Sequence, residues 1–197
     1  MRGTPITILL VLVTALIGET TAFSALGQRG RQLALEPLEI RKEPHPADWR
    51  YFLKSSETER ERLWTYHQNR GVHLGGWSWG WRLGWVRACG ASDRRMCQAI
   101  MREALFDRAL VVRAEAATRI GRRYEGTGSL EIIETLAKAY ADPRNVRHGK
   151  PLFAQSRILF ALRMVGGMQA LAKGASLAAS HPESQSYWAR LDAAEGK

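Results

Sequence analysis

Two cysteines and five histidines carry the chain's main capacity for redox chemistry or metal binding. Cys89 and Cys97 are separated by Gly-Ala-Ser-Asp-Arg-Arg-Met, and neither belongs to a Cys-x-x-Cys pair. The histidines are scattered along the chain, at His45, His67, His73, His148 and His181. Zinc sites need closely paired ligands, so we expect no metal site here. The sequence instead predicts a structural disulfide between Cys89 and Cys97, with unpaired thiols as the alternative.

The spacing of the two cysteines restricts the local structure. On one continuous helix, residues eight apart lie about 12 Å apart along the axis, farther than a disulfide permits. A helix that begins near Ser92, with Ser92 as N-cap, would place Cys97 in its second turn and Cys89 in the preceding segment. We expect such a bridge to stabilise the fold by about 2–3 kcal/mol.

Motifs for catalysis are missing from the sequence. It contains no Gly-x-Ser-x-Gly, no His-Glu-x-x-His, no phosphate-binding loop and no dinucleotide-binding glycine fingerprint. Glu57, Glu59 and Glu61 are the nominal candidates for an acid in glycan cleavage. The same residues fit a solvated helix with a capping box from Ser56 to Glu59. The sequence therefore predicts no catalytic residue and no cofactor, and it favours a protein that is not an enzyme.

A glycine- and tryptophan-rich segment, residues 71–90, holds four of the seven tryptophans. Alternate spacing would place them on one face of a strand, as a shelf for sugar or base stacking. Helical spacing would align some of them and form a Gly-x-x-x-Gly ridge that allows close packing. The residues either fill the core or contact a partner, a membrane or a glycan. The candidate interaction residues are Trp77, Trp79, Trp81 and Trp85.

The formal net charge is +10, and arginine dominates the basic residues, with 23 of the 29 lysines and arginines. Arginine presents a planar set of donors that suits phosphates and carboxylates. Two basic groups would form one patch for an anionic ligand if their helices are antiparallel neighbours. The first group comprises Arg119, Arg122 and Arg123, and the second comprises Arg144, Arg147 and Lys150. We expect a protein complex or membrane surface as partner, with anionic lipid or glycan as further candidates, and no nucleic acid.

The N-terminus has the pattern of an export signal. Arg2 precedes an apolar run at residues 6–17, and small residues occur at Thr20 and Ala22. The run is shorter than the roughly 20 residues that a membrane span needs. Residues 1–22 therefore predict a signal peptide, cleaved or retained as an anchor. The predicted location is periplasmic, secreted or membrane-associated.

The residues after the predicted cleavage point indicate an alternative cellular location. Phe23 is followed by a basic stretch without acidic residues up to Arg31. This segment resembles the two-part plastid targeting sequences of algae with red-lineage plastids. The resemblance implies an alternative location in the plastid lumen.

The mature chain is expected to be mainly helical. Residues 23–54 contain several prolines and predict an extended leader or tether, and residues 55–197 predict a small helical domain. We expect a helix from Ser56 to about Gln68, and a long one over residues 93–120 with apolar side chains at steps of three and four. A further helix follows Ser129 and ends at residues 142–143.

The C-terminal part predicts two more helices. Pro151 suits the first turn of one, whose middle at residues 158–171 is nearly apolar all round. A short helix is expected over residues 183–195.

These features predict an exported, non-catalytic interaction or accessory protein of an envelope or membrane-associated assembly. Its fold would be a small helical domain with a disulfide-tied Gly/Trp segment, and it would bind through that segment and the arginine patch. The first alternative is a protein that binds or cleaves cell-wall glycans. The second is a small plastid-lumen subunit of a photosynthetic complex.

Overall fold

The computed structural model describes residues 39–195, and nine α-helices account for most of that range. In chain order they are α1 (Pro46–Lys54), α2 (Glu57–Gln68), α3 (Trp79–Cys89), α4 (Arg95–Ala104), α5 (Leu110–Arg123), α6 (Leu130–Tyr140), α7 (Phe153–Val165), α8 (Gly167–Ala178) and α9 (Pro182–Glu195). Short 3-10 helices occupy Leu74–Gly76 and Pro143–Asn145. Strands β1 (Val146–Arg147) and β2 (Lys150–Pro151) pair in an antiparallel hairpin. The predicted mainly helical fold is confirmed.

Helices α5 and α7 lie at the centre of the domain and share the most extensive helix–helix contact among the described residues. Their facing residues are small, so the two backbones approach closely. Gly121 on α5 lies directly against Ala161 on α7, and both are buried. Helices α3 and α4 pack beside α5, while α6, α8 and α9 pack around α7. The two central helices therefore hold the surrounding layers together.

A second part of the core is an aromatic cluster contributed by α1, α2, α3 and Trp77, which lies just before α3. The ring of Trp85 lies 4.8 Å from Phe52 and 5.2 Å from Trp64, both in edge-on geometry. Trp77 and Trp81 complete the cluster, 6.4 Å apart between ring centroids. Edge-to-face rings at these distances add to the stabilisation that comes from burying their area. The cluster fixes α3 as a helix and not a strand, and the helical alternative for this segment is the one observed.

His67 lies at the edge of the aromatic cluster, with its ring centroid 4.7 Å from that of Trp77. Partial burial, reinforced by the nearby Arg70 guanidinium, lowers the pKa of His67 below its ordinary value. A lowered pKa means that the folded protein disfavours a protonated imidazole at this place.

The predicted disulfide is present. Cys89 at the end of α3 and Cys97 in α4 are bonded, and their Cα atoms lie 4.9 Å apart. The predicted N-cap is wrong, because α4 begins two residues later, with Arg94 at the N-cap position. The Ser92 hydroxyl instead accepts a hydrogen bond from the Arg94 backbone N–H, at 3.3 Å. The bridge thus connects two neighbouring helices through a short turn.

The long helix expected over residues 93–120 is interrupted, and two helices take its place. Buried Asp107 lies in the break and forms a two-pronged ion pair with Arg82, at 2.6 and 2.9 Å. Its carboxylate also accepts the Ala109 backbone N–H at 2.7 Å, and its carbonyl accepts Arg113 at 2.7 Å. These bonds hold the backbone in a turn, because a buried charge needs its partners.

The C-terminal helices also differ from the expectation. Pro151 lies in β2, and α7 begins only at Phe153. The apolar stretch at residues 158–171 is split at Gly166, whose φ of 71° is a conformation that glycine adopts readily. The backbone N–H groups of Gly126 and Gly128 bond the last carbonyls of α7, each at 2.9 Å. These two bonds satisfy terminal carbonyls of α7, and the chain turns at Gly166 into α8.

The predicted N-terminal segments are described only in part. The signal at residues 1–22 and the leader up to residue 38 lie outside the described residues. The end of the expected tether is a helix, α1, which starts at Pro46 and buries Phe52. The capping box at the start of α2 is confirmed: the Ser56 and Glu59 side chains each bond the other residue's backbone N–H, at 3.2 and 2.7 Å.

Candidate anion-binding cleft

The structure separates the four candidate tryptophans into core and surface residues. Trp77, Trp81 and Trp85 have exposed fractions of 0%, 1% and 0%, whereas Trp79 is 48% exposed. Trp81 and Trp85 are four residues apart on α3 and share its buried face, Trp79 points away from that face, and Trp77 precedes the helix. The surface role proposed for Trp77, Trp81 and Trp85 is therefore corrected to core packing. Of these four residues, Trp79 alone has an exposed ring.

The structure does not bring the six candidate basic residues into one patch. Arg119, Arg122 and Arg123 lie at the C-terminal end of α5. Arg144, Arg147 and Lys150 form a second group at the β-hairpin, which we call the hairpin group. It lies near the other end of α5, where Arg113 donates to the Arg144 carbonyl at 2.9 Å. Ten residues of helix separate Arg113 from Arg123, which corresponds to about 15 Å. The predicted single patch is therefore two separate groups.

The hairpin group is partly neutralised. Its Arg144 guanidinium bonds the Asp142 carboxylate at 2.9 and 2.5 Å. These bonds raise the pKa of Arg144 and lower that of Asp142, in each case chiefly through the hydrogen bond to the other. Arg147 and Lys150 are exposed on the strands of the hairpin. This group therefore has fewer free guanidinium donors than its sequence suggests.

Along α5, arginines from three helices converge on a cleft of about 470 Å³. Arg119 and Arg122 come from α5, Arg87 from α3 and Arg157 from α7. Within residues 39–195, Glu115 is the single acidic residue that lines it. We call this site the arginine cleft.

The apolar wall of the arginine cleft is formed by Phe153 and Val111, near the N-terminal ends of α7 and α5. Phe153 is 54% exposed and Val111 is 43% exposed. The Arg157 guanidinium lies over the Phe153 ring, 4.6 Å from its centroid. This cation–π contact orients Arg157 without using its hydrogen-bond donors.

The arginines of the cleft differ in their partners. Glu115 accepts a hydrogen bond from Arg119 at 2.9 Å and lies 3.6 Å from Arg87. Among residues 39–195, no carboxylate oxygen lies within 4.0 Å of the Arg122 or Arg157 guanidinium. The cleft thus has two guanidinium groups held by a carboxylate and two whose donors are available. Its net charge is strongly positive.

A neighbouring hollow of about 400 Å³ shares Arg119 and Arg122 with the arginine cleft. The turn between the bonded cysteines forms its rim. Arg123 donates to the Ser92 carbonyl and, at 2.6 Å, to the Asp93 carboxylate. The Arg119 side chain lies close over Gly90, where an added Cβ would be 2.5 Å from Arg119 Cδ. The disulfide therefore fixes one edge of the basic surface.

Sequence reasoning identified only part of the arginine cleft. Glu115, Arg119 and Arg122 are spaced by four and three residues, so a single helix face already predicts their proximity. Arg87 belongs to the tryptophan segment and Arg157 to an apolar helix, and neither position indicated a shared site. Their convergence depends on how α3 and α7 pack on α5.

The nominal catalytic glutamates are engaged in structural contacts. Glu57 and Glu61 form ion pairs with Arg94, and Glu59 belongs to the capping box. Hydrogen bonds from Ser92 and Arg94 lower the pKa of Glu57. A general acid in glycan cleavage needs a raised pKa, so this environment is opposite to what that role requires. Across residues 39–195, no three His, Cys, Asp or Glu side chains are grouped so as to hold a metal ion.

Two further findings bear on function. In the part of the chain that the structure describes, no helix is both long and apolar enough to span a bilayer. Comparison with protein-family models, with curated proteins and with solved structures finds no match to this chain. The functional interpretation therefore depends on the geometry of the arginine cleft.

Proposed function

We propose that this chain is an exported, non-catalytic interaction protein of an envelope or membrane-associated assembly. It binds a negatively charged partner through the arginine cleft. The observation that carries the proposal is the convergence of four guanidinium groups and one carboxylate in a single concavity. If these arginines served only the fold, each would be expected to pair with a carboxylate. Arg122 and Arg157 form no ion pair with any described carboxylate.

The physical reason is the cost of keeping like charges together. Guanidinium groups that share a cleft repel one another, and an anionic partner removes that repulsion when it binds. Arginine bonds carboxylates and phosphates in a two-pronged geometry, so the same contact also fixes orientation. A cleft of this kind favours a partner with several acidic groups over a neutral one.

Two observations support export. The first is the signal pattern of residues 1–22, which is a property of the sequence alone. The second is the disulfide between Cys89 and Cys97, since disulfides persist in oxidising compartments. A disulfide that fixes the edge of the basic surface fits a protein that works outside the reducing cytosol.

A glycan-binding role is the second candidate, and exposed Trp79 is the observation that favours it. Trp79 lines a separate hollow of about 460 Å³ together with Arg41 and Arg108. An exposed indole ring offers an apolar face on which a sugar ring can stack. Glycan binding needs one aromatic platform and no catalytic acid. It is therefore compatible with the structural contacts that occupy Glu57, Glu59 and Glu61.

Co-sedimentation with the membrane fraction of the source cells tests the proposed function. The mature protein is mixed with washed membranes at increasing salt, and the bound fraction is measured. We expect wild-type protein to sediment at low salt and to be released as salt rises, because screening weakens contacts between charges. The Arg122→Gln/Arg157→Gln variant should lose most of this binding.

A matched control separates the cleft from general basic charge. Arg62→Gln removes one exposed guanidinium from α2, away from the cleft, and is compared with the single variants Arg122→Gln and Arg157→Gln. It should sediment like wild type, whereas each single cleft variant should bind less. Trp79→Ala tests the glycan candidate in the same assay, with insoluble peptidoglycan or polysaccharide in place of membranes. If the double cleft variant binds membranes as wild type does, the proposed role of the cleft is wrong.

A further inference from the structure

We propose that the arginine cleft recognises a phosphate ester that carries at least two negative charges and an apolar group. This inference rests on the proposed function and specifies the ligand of the same site. The juxtaposition that carries it is the pair of free guanidinium groups, Arg122 and Arg157, beside the exposed Phe153 and Val111.

The charge of the cleft favours a dianion over a single carboxylate. Glu115 already accepts a hydrogen bond from Arg119 and lies 3.6 Å from Arg87, within ion-pair distance. Arg122 and Arg157 remain, and each presents several N–H donors in a planar fork. A carboxylate has two oxygens and one charge, whereas a terminal phosphate has three oxygens and about −1.5 to −2 charge at neutral pH. A phosphate can therefore accept from both free arginines at once.

The shape of the cleft favours a compact ligand. Protein partners usually bury about 800 Å² on each side, spread over a broad surface. The four arginines instead converge from α3, α5 and α7 on one concavity of about 470 Å³, within the range of small-ligand sites. Convergent donors match the closely spaced oxygens of one phosphate better than the dispersed carboxylates of a protein face.

The apolar wall indicates that the phosphate is an ester with an organic part. Phe153 and Val111 are among the most exposed large apolar residues of the described chain, and both line this cleft. Because Arg157 stacks on Phe153, a phosphate held by Arg157 would place its ester group beside the ring. A phosphomonoester lipid head group or a soluble organic phosphate would satisfy both requirements.

Glu115 acts as a positioning residue in this arrangement. Its carboxylate holds Arg119 at 2.9 Å and lies 3.6 Å from Arg87, so both guanidinium groups face the same cleft. Those two charges offset the repulsion between Glu115 and a bound anion.

Isothermal titration calorimetry with defined ligands tests the proposal on the mature protein. The probes are dihexanoyl phosphatidic acid below its micelle concentration, dihexanoyl phosphatidylglycerol, hexanoate and inorganic phosphate. Phosphatidic acid carries a phosphomonoester, and phosphatidylglycerol carries a singly charged diester with the same chains. Loss of a charge-assisted contact weakens binding by about tenfold or more, so we expect phosphatidic acid to bind at least that much more tightly than the diester.

Variants assign the binding to the cleft. Arg122→Gln/Arg157→Gln should weaken phosphatidic acid binding by at least about tenfold, and Arg62→Gln should leave it unchanged. Phe153→Ala should weaken phosphatidic acid binding by roughly fivefold, through lost apolar burial, and inorganic phosphate binding by less. The circular dichroism spectrum and unfolding midpoint of each variant establish that it is folded. If the double variant is unfolded, the single variant Arg122→Gln is used in its place.

The outcomes separate this proposal from the proposed function. Equal affinity for the diester and the monoester, or no binding of either, would overturn the phosphate assignment. In that case, release of the double variant from membranes would still support an anionic partner of another kind. Inorganic phosphate that binds as tightly as phosphatidic acid would contradict the apolar part of the proposal. Vesicles with and without phosphatidic acid then show whether a lipid surface or a free phosphate ester is the source.

Discussion

Replacing Gly121 by alanine should separate the two central helices that carry the arginine cleft. A Cβ atom at this position would lie 2.7 Å from Ala161 Cα and 2.9 Å from Ala161 Cβ. Carbon atoms in good contact are about 3.5–4.0 Å apart. Neither atom of Ala161 can rotate aside, because one is backbone and the other is fixed to it. Helices α5 and α7 would therefore have to move apart by roughly 0.5–1 Å.

The expected cost combines two opposing effects. Overpacking a tight core costs up to about 3 kcal/mol. Alanine has a better helix propensity than glycine, which returns about 1 kcal/mol. The net destabilisation is then about 2 kcal/mol, and in a domain of this size the thermal midpoint should fall by roughly 4–8 °C.

Gly84 on α3 provides the matched control, since it is also a buried glycine inside a helix. An added Cβ there would lie 3.4 Å from Phe52 Cε1 and from Trp49 Cζ3, which is ordinary contact. Gly84→Ala should therefore stabilise the protein by about 0.5–1 kcal/mol. Urea unfolding followed by far-ultraviolet circular dichroism measures both variants. If Gly121→Ala is as stable as wild type, the close approach of α5 and α7 is wrong.

Three other changes have distinct expected outcomes. Cys89→Ala/Cys97→Ala should lower the free energy of unfolding in urea by about 2–3 kcal/mol, and a reductant should then have no further effect. Trp79→Ala should stay within about 0.5 kcal/mol of wild type in the same assay because its ring is exposed. Trp85→Ala should cost about 3–5 kcal/mol, and equal costs would contradict the division between core and surface. Because burial lowers the pKa of His67 in the folded state, the unfolded chain binds the proton more readily. The free energy of unfolding should therefore fall as the pH drops below about 6.5, and it should fall less steeply in His67→Gln than in wild type. An equal pH dependence of the two proteins would refute this.

Local features of the sequence predicted much of the fold. The capping box at Ser56 and Glu59 depends on residues three apart, and the disulfide joins residues eight apart. Short separations of this kind leave few possible geometries. The helical class follows from apolar steps of three and four, which are also local.

Tertiary packing decided the features that the sequence did not predict. The tryptophan segment fits both periods, and α3 is a helix because Phe52 and Trp64 cover one of its faces. The helix expected over residues 93–120 breaks because Arg82, which is far away in sequence, binds Asp107. The cleft likewise needed Arg157 from α7, and no spacing along the chain relates it to α5.

Arginine footprinting with phenylglyoxal and mass spectrometry tests the central claim that the arginine cleft is the partner-binding surface. The protein is labelled with and without washed membranes of the source cells, and the modification of each arginine is compared. Membranes should protect Arg122 and Arg157 from modification and leave Arg62 as reactive as before. Equal labelling of Arg122 and Arg157 in both samples, or protection confined to Arg144 and Arg147, would contradict it.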